Sequence, residues 1–237
     1  MKNPFATMKL SVILKDFISL FYPQLCVVCS EALVGDELFF CSECLQQLPK
    51  TNHHLHPNNA AFEQLAGKFP IQKACAYLYY NKGGLGQTTI TSIKYHGNIA
   101  LGEWIGRYLA EDLKSSGFFE SIECIIPVPL HKSKLRKRGF NQSEAIAKGI
   151  SAITGIPMET QTLYRKQANT TQTKKGLYDR WKNTQGLFLT KDNDQLANQH
   201  ILLLDDVLTT GSTLEACARA LLQTPNLKIS VLTVAIA

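Results

Sequence analysis

Two periods of apolar and polar residues alternate along this chain. The unbroken apolar run Ile201–Leu204 has the pattern of a strand buried on both faces of a parallel sheet; Ile122–Val128 (IECIIPV), apolar but for Glu123, reads as a second buried strand, and Ala74–Tyr80 (ACAYLYY) as a strand. Elsewhere the spacing becomes helical. After Gly97 the residues Leu101, Ile105, Tyr108, Leu109 and Leu113 share one helical face, and Leu214, Cys217, Ala218, Leu221 and Leu222 share another. Asn141 and Glu144 are placed to cap a helix running to about Ile153, and Ser212 and Glu215 stand in the capping-box relation. Strands that alternate with helices predict an α/β domain. Gly83-Gly84-Leu85-Gly86 lacks the third glycine of a dinucleotide-binding turn and predicts a hairpin or loop. No P-loop motif occurs.

The most informative stretch is HILLLDDVLTTGSTLEACARALLQT, residues 200 to 224. It reads as strand, acidic pair (Asp205 and Asp206), small-residue turn (Thr209, Thr210, Gly211, Ser212, Thr213) and helix. A turn of Thr, Gly and Ser at a helix N-terminus offers backbone N–H groups, hydroxyls and the positive end of the helix dipole, which together suit a phosphate. Gly211 has no Cβ to hold the backbone away from it. The two carboxylates would repel a phosphate; they suit ribose hydroxyls or Mg²⁺. A ribose 5-phosphate unit satisfies both halves. Four apolar residues, Asp-Asp, two more apolar residues and TTGST resemble the phosphoribosyl-pyrophosphate (PRPP) motif of type I phosphoribosyltransferases. That resemblance implies that Asp205 and Asp206 hold ribose hydroxyls and that Thr209 to Thr213 hold the 5-phosphate.

Near the N-terminus, Cys26 and Cys29 form one C-x-x-C and Cys41 and Cys44 a second, with eleven residues between them. Two such knuckles suit a tetrahedral Zn²⁺ site in a segment too short to build its own core. A redox dithiol needs only one C-x-x-C beside a βαβ pattern, and structural disulfides do not suit a cytoplasmic chain. Four thiolates close the shell, so we expect a structural metal, with the nearby His53, His54 and His56 outside it. Cys75, Cys124 and Cys217 sit in apolar contexts and read as core residues.

Composition then narrows the partners. The chain has 237 residues, is 45% hydrophobic and carries a formal charge of +6, enough for one substantial α/β domain and a small satellite. We expect a module at residues 1–50, a polar join, and the α/β domain at 70–237. The charge is concentrated: His131–Lys182 holds twelve Lys or Arg against three Asp or Glu. Lys132, Lys134, Arg136, Lys137 and Arg138 crowd one loop at the end of a strand, a place for pyrophosphate or nucleic acid. A second basic patch, Thr162–Phe188, interleaves Tyr164, Tyr178 and Trp181, a composition suited to single strands and equally to an ordinary amphipathic loop. Lys94, Tyr95 and His96 form a trio that either reaches an anion or lies in a solvated turn. No apolar run reaches the length of a membrane span. The apolar stretch of residues 10–22 is broken by Lys15 and Asp16, and no cleavage site follows. It reads as an amphipathic helix that docks on its own protein, with a membrane surface as the other use. We expect a cytoplasmic protein, with peripheral inner-membrane contact as an open alternative.

These blocks together (four N-terminal cysteines, IKYHG, IIPVPL, RGFNQ, TTQTKKGLYDRWKN and LLLDDVLTTGST) resemble, in this order, the ComF family of competence-associated proteins. The resemblance implies a type I phosphoribosyltransferase-like parallel sheet flanked by helices, a small N-terminal zinc module, and a part in bringing transforming DNA into the cell. Expected cofactors are structural Zn²⁺, and Mg²⁺ with PRPP. Expected partners are PRPP or ribose 5-phosphate, single-stranded DNA and other competence proteins. No segment that would select a nucleobase is identifiable, and no catalytic residue is assigned. The favoured reading is a PRPP-binding accessory protein that handles incoming single-stranded DNA. The alternative is an active phosphoribosyltransferase that uses PRPP-Mg²⁺.

Overall fold

The computed structural model describes residues 22–95, 98–166, 187–191 and 193–237. The chain divides into two compact units, Met1–Leu48 and Pro49–Ala237. The expected leading helix at residues 10–22, His96, and the Tyr178 and Trp181 of the second basic patch lie outside the described residues or at their edge.

Among the described residues six strands occur in chain order: β1 (Ala74–Tyr79), β2 (Cys124–Pro127), β3 (Leu163–Arg165), β4 (Phe188–Thr190), β5 (His200–Leu208) and β6 (Lys228–Ile236). β3 and β4 pair as a separate antiparallel ribbon. The other four form one parallel sheet in the order β1-β6-β5-β2. All three apolar runs seen in the sequence are strands of this sheet. Pro127 is tolerated because β2 is an edge strand. Val128 N–H points to Leu204 of β5, whereas Ile125 N–H points the other way, to Pro157, and Pro127 shares its parity.

The helices are α1 (Ser42–Gln46) in the smaller unit, then α2 (Ala60–Ala66), α3 (Leu85–Tyr95), α4 (Ile99–Lys114), α5 (Lys132–Arg138), α6 (Gln142–Thr154) and α7 (Ser212–Leu221). One sheet face, carrying Ala74, Ala76, Ile126, Ile201, Leu203, Ile229 and Val231, forms a core with α2, α7 and the β3-β4 ribbon. The alternate residues serve the other face. There α6 packs on β2 and β5, and Tyr108 of α4 meets Tyr77 edge-on.

Three local expectations are corrected. The glycine-rich segment at 83–86 does not open a hairpin; α3 starts directly at Leu85. Its buried face is Thr89, Ile90, Ser92 and Ile93, and half of that face is polar by sequence. The Thr89 hydroxyl hides its polarity by donating to Leu85 O at 2.9 Å. The basic run at Lys132–Arg138 is a helix rather than a loop. His131 caps it through Ser133 N–H, and its three C-terminal cations complement the helix dipole. No residue of α5 is buried. Residues 49–70, read as an irregular join, contain α2, whose Leu65 is fully buried and whose Asn59 cap also donates to Ala74 O of β1 at 2.8 Å.

α4 and α6 touch backbone to backbone. A Cβ on Gly149 would lie 2.7 Å from Arg107 N and 2.8 Å from Gly106 Cα, and would run into the Glu103 carbonyl. Replacing an exposed helical glycine with alanine stabilises by about 1 kcal/mol. Here the sign should reverse: Gly149→Ala should lose about 1–3 kcal/mol to overpacking. Urea unfolding tests this, with Gly67→Ala as the control that meets no atom within 4 Å. A Gly149→Ala variant as stable as the wild type contradicts the packing.

Candidate functional site

The site lies where β5 outruns its neighbour. Pairing between β2 and β5 stops at Leu204, whereas β5 continues to Leu208 against β6. The carboxylates therefore do not follow the strand, as the apolar run suggested. They lie within it, on an edge that β2 no longer covers. The N-terminus of α6 supplies side chains to that edge. Ser143 Oγ donates to Asp205 Oδ1 at 3.3 Å, and Gln142 Nε2 donates to Asp206 Oδ2 at 2.9 Å. Lys94 Nζ, at the end of α3, lies 2.9 Å from the same Asp206 Oδ2. The Asp206 backbone N–H completes the hold on Asp205 Oδ1 at 2.8 Å. Each carboxyl group is thus held through one oxygen, and the second oxygen takes no part in these bonds. Burial, and then the charge of Asp206, push the Asp205 carboxyl up to about 7. A hydroxyl donor or a cation arriving at the pair meets a group close to its proton-exchange point at neutral pH.

After Leu208 the chain turns through Thr209 and Thr210, both exposed, into α7. The helix does not open with the expected Ser212–Glu215 capping box. Its N-cap is Gly211, at φ +74°, and no side chain caps the first turn. Glu215 instead receives Arg219, at 2.8 Å and 3.0 Å. Ser212 N–H has only a 3.4 Å bond to Thr210 Oγ1, and the two hydroxyls lie 2.9 Å apart. An uncapped first turn with hydroxyls on its rim has the donors that an anion needs. Gly211 also has a packing duty that the sequence hid. A Cβ there would meet Leu65 Cδ2 at 2.8 Å, so the loop rests on α2, whose Gln64 also donates to the Thr209 carbonyl.

The basic residues of α5 stand beside this site and not in it. Of Lys132, Lys134, Arg136, Lys137 and Arg138, the last is tied directly toward the acidic pair: its guanidinium donates to Gln142 Oε1 at 2.9 Å. Gln142 is buried, which sets it apart from a surface amide. Sequence reasoning placed it only as the last letter of RGFNQ. Lys94, which by sequence either reaches an anion or lies in a solvated turn, is the counter-ion of Asp206.

In the smaller unit, the Sγ atoms of Cys26, Cys29, Cys41 and Cys44 lie within 4.8 Å of one another, with Cys29 and Cys41 at 3.6 Å. A tetrahedral shell with Zn–S bonds near 2.3 Å requires sulfurs about 3.8 Å apart, so the four fit Zn²⁺. The knuckles are shaped by backbone bonds: Cys26 N–H to Glu31 O at 2.8 Å and Ser30 N–H to Cys26 O at 3.0 Å, with Cys41 Sγ capping α1. Burial raises the Cys26 thiol, but the N–H groups of Cys29, Cys41 and Val28 outweigh it and bring the thiol to about 7, favouring the ligating thiolate. Besides Cys26 and Cys44, only Phe40 and Leu48 are buried hydrophobics among the described residues of this unit, too few to hold it together. Cys75 and Cys124 are buried thiols pushed up by burial to about 12 and about 11, inert by comparison. Gently purified protein should carry one zinc per chain, and chelation should expose all four thiols while the sheet of the larger unit persists by circular dichroism. Metal-free protein with those thiols freely reactive contradicts the site.

No family model matches the chain. Among curated proteins it is similar to competence protein F of Haemophilus influenzae, 32% identical over 126 residues, covering 50% of this chain and 55% of that protein. It is similar also to the DNA utilization protein YhgH of Salmonella typhimurium, 26% identical over 84% of each chain. Competence protein ComFC of Bacillus subtilis is 33% identical over 42% of this chain and 38% of its own. The chain thus spans about half the length of the first of these relatives. Among solved structures, the glutamine PRPP amidotransferase of B. subtilis aligns with 60% of this chain and 30% of its own, at 15% identity and a TM-score of 0.40. In sequence the chain is thus similar to competence and DNA-utilization proteins, and its structure carries the expected parallel sheet flanked by helices and the expected four-cysteine cluster.

Proposed function

We propose that the end of β5 binds the ribose 5-phosphate part of PRPP, and that the protein uses this site while handling single-stranded DNA. The observation that carries the reading is the uncapped first turn of α7, placed directly after two carboxylates that each present one oxygen. A phosphate satisfies the helix N-terminus, and ribose hydroxyls satisfy the carboxylates. The two demands have opposite charge preference, so a simple anion or a simple cation fits only half of the site. Mg²⁺ accompanying PRPP would be met by the hard oxygens of Asp205 and Asp206, and would supply neutralisation of the pyrophosphate. On Asp206 it would use Oδ1, because Lys94 and Gln142 already share Oδ2.

Competence and DNA-utilization relatives support the DNA side of the proposal. So does α5, a helix with five cations and no buried residue, beside the same site. A helix of this kind positions phosphates without reading sequence. Phosphoribosyl transfer to an acceptor remains the alternative use of the same cradle. Pyrophosphate release from PRPP, assayed against a panel of bases with and without single strands, separates the two.

The binding test uses opposed signs. Ser212→Asp places a carboxylate in the first turn of α7, where it favours the helix dipole, so thermal stability should hold or rise. The same charge repels phosphate, so calorimetric binding of ribose 5-phosphate should fall at least about tenfold, a change of about 1.4 kcal/mol. Asp206→Asn should lose binding of a comparable order by removing the acceptor charge. Wild-type affinity in both variants removes the site assignment.

A further inference from the structure

Gln142 stands between two charged systems. Its Oε1 accepts from Arg138 of α5 at 2.9 Å, and its Nε2 donates to Asp206 of β5 at 2.9 Å. The orientation of the amide is dictated from both sides. Turned over, its NH₂ would face a guanidinium and its oxygen a carboxylate. The amide is buried, so neither bond is readily exchanged for water. Meanwhile α5 buries no residue of its own. His131 and Gly139 cap its two ends, and the Arg138–Gln142 bond ties its last turn to the start of α6. The end of α6 that carries Gln142 is itself fixed. Asn141 caps it through Ser143 N–H and donates to Val128 O at 3.1 Å.

On the reading of the acidic pair given above, we propose that Gln142 is a positioning residue that couples anion binding on α5 to polyol binding at Asp205 and Asp206. The amide and Lys94 both bind Oδ2 of Asp206, which fixes that carboxylate through one oxygen and leaves Oδ1 outside these bonds. A guanidinium has five N–H donors in a rigid fork, so Arg138 can hold Gln142 and a phosphate oxygen together. An anion docked there orders the end of α5, and the ordered Arg138 holds Gln142 against Asp206. The carboxylate is then already in place when a sugar arrives. By linkage the effect is reciprocal: the sugar must also tighten the anion. The arrangement ties occupancy of the ribose site to the presence of a polyanion a few residues away, without any contact between the two ligands.

Calorimetry on the full chain at fixed ionic strength tests this with ribose 5-phosphate and a single-stranded oligothymidylate as probes. In the wild type, saturating oligothymidylate should tighten ribose 5-phosphate by roughly fivefold, and the reverse experiment should give the same ratio. Gln142→Met keeps the length of the side chain and removes both bonds. Arg138→Lys keeps the charge and removes the fork. Each should bring the ratio to about one while both probes still bind. A purely long-range field would survive Arg138→Lys, so a ratio that persists in either folded variant overturns the role of Gln142. Absent coupling, or absent oligothymidylate binding, in the wild type overturns it equally. If ribose 5-phosphate fails to bind the wild type, the reading of the acidic pair falls and the coupling falls with it. If the sugar binds and only the ratio is unmoved by the substitutions, the acidic pair stands and the coupling alone is wrong.

Discussion

Two adjacent carboxylates on a partly buried strand are the constraint around which this site is arranged. Placed side by side, they repel each other and lose hydration, which drives the Asp205 carboxyl up to about 7. They persist because a cation and three donors converge on them: Lys94, Gln142, Ser143 and the Asp206 N–H. Those groups come from α3, from the start of α6 and from β5 itself. The demand of two side chains therefore determines where two helices must end or begin. It also accords with the end of β2 at Pro127, opposite Leu204. A fully paired edge would leave no opening for the N-terminus of α6.

The same economy of partners appears at the proposed phosphate end. Gly211 is held in the left-handed region, with Leu65 where a side chain would be. Gln64 holds the carbonyl of Thr209. α2 thus fixes the loop from behind, and the first turn of α7 keeps its N–H groups for whatever arrives from in front. A capping box would have satisfied those groups internally. Its absence is what makes this helix terminus chemically available, whereas Asn141 fills that role for α6.

Much of this was legible in the sequence, for physical reasons that can be named. Strands buried on both faces announce themselves as unbroken apolar runs, and the Asp-Asp and TTGST blocks lie next to one another in the chain, so local spacing reveals them. Four cysteines in two knuckles are local too. The contributions of Lys94, Gln142 and α2 were not legible, because their partners lie far away in sequence: Gln142 is 64 positions from Asp206, and Gln64 is 145 from Thr209. α3 was hidden by composition, since Thr89 and Ser92 count as polar yet are buried with Ile90 and Ile93. α5 reads as a loop in sequence because like charges suggest a solvated run. Its cap and its C-terminal cations make the helical form acceptable without any burial.

The central claim is that the first turn of α7 receives a phosphate whose sugar rests on the acidic pair. Amide chemical shifts read this directly. On titration of isotopically labelled protein with ribose 5-phosphate, the amides of Gly211, Ser212, Thr213 and Leu214 should move most, with Asp205 and Asp206 following, and ribose without its phosphate should leave the α7 amides in place. Shifts that gather elsewhere, for instance in the cavity of about 430 Å³ lined by His53, His54, Asn59 and Lys73, with the α7 amides unmoved, would contradict the account.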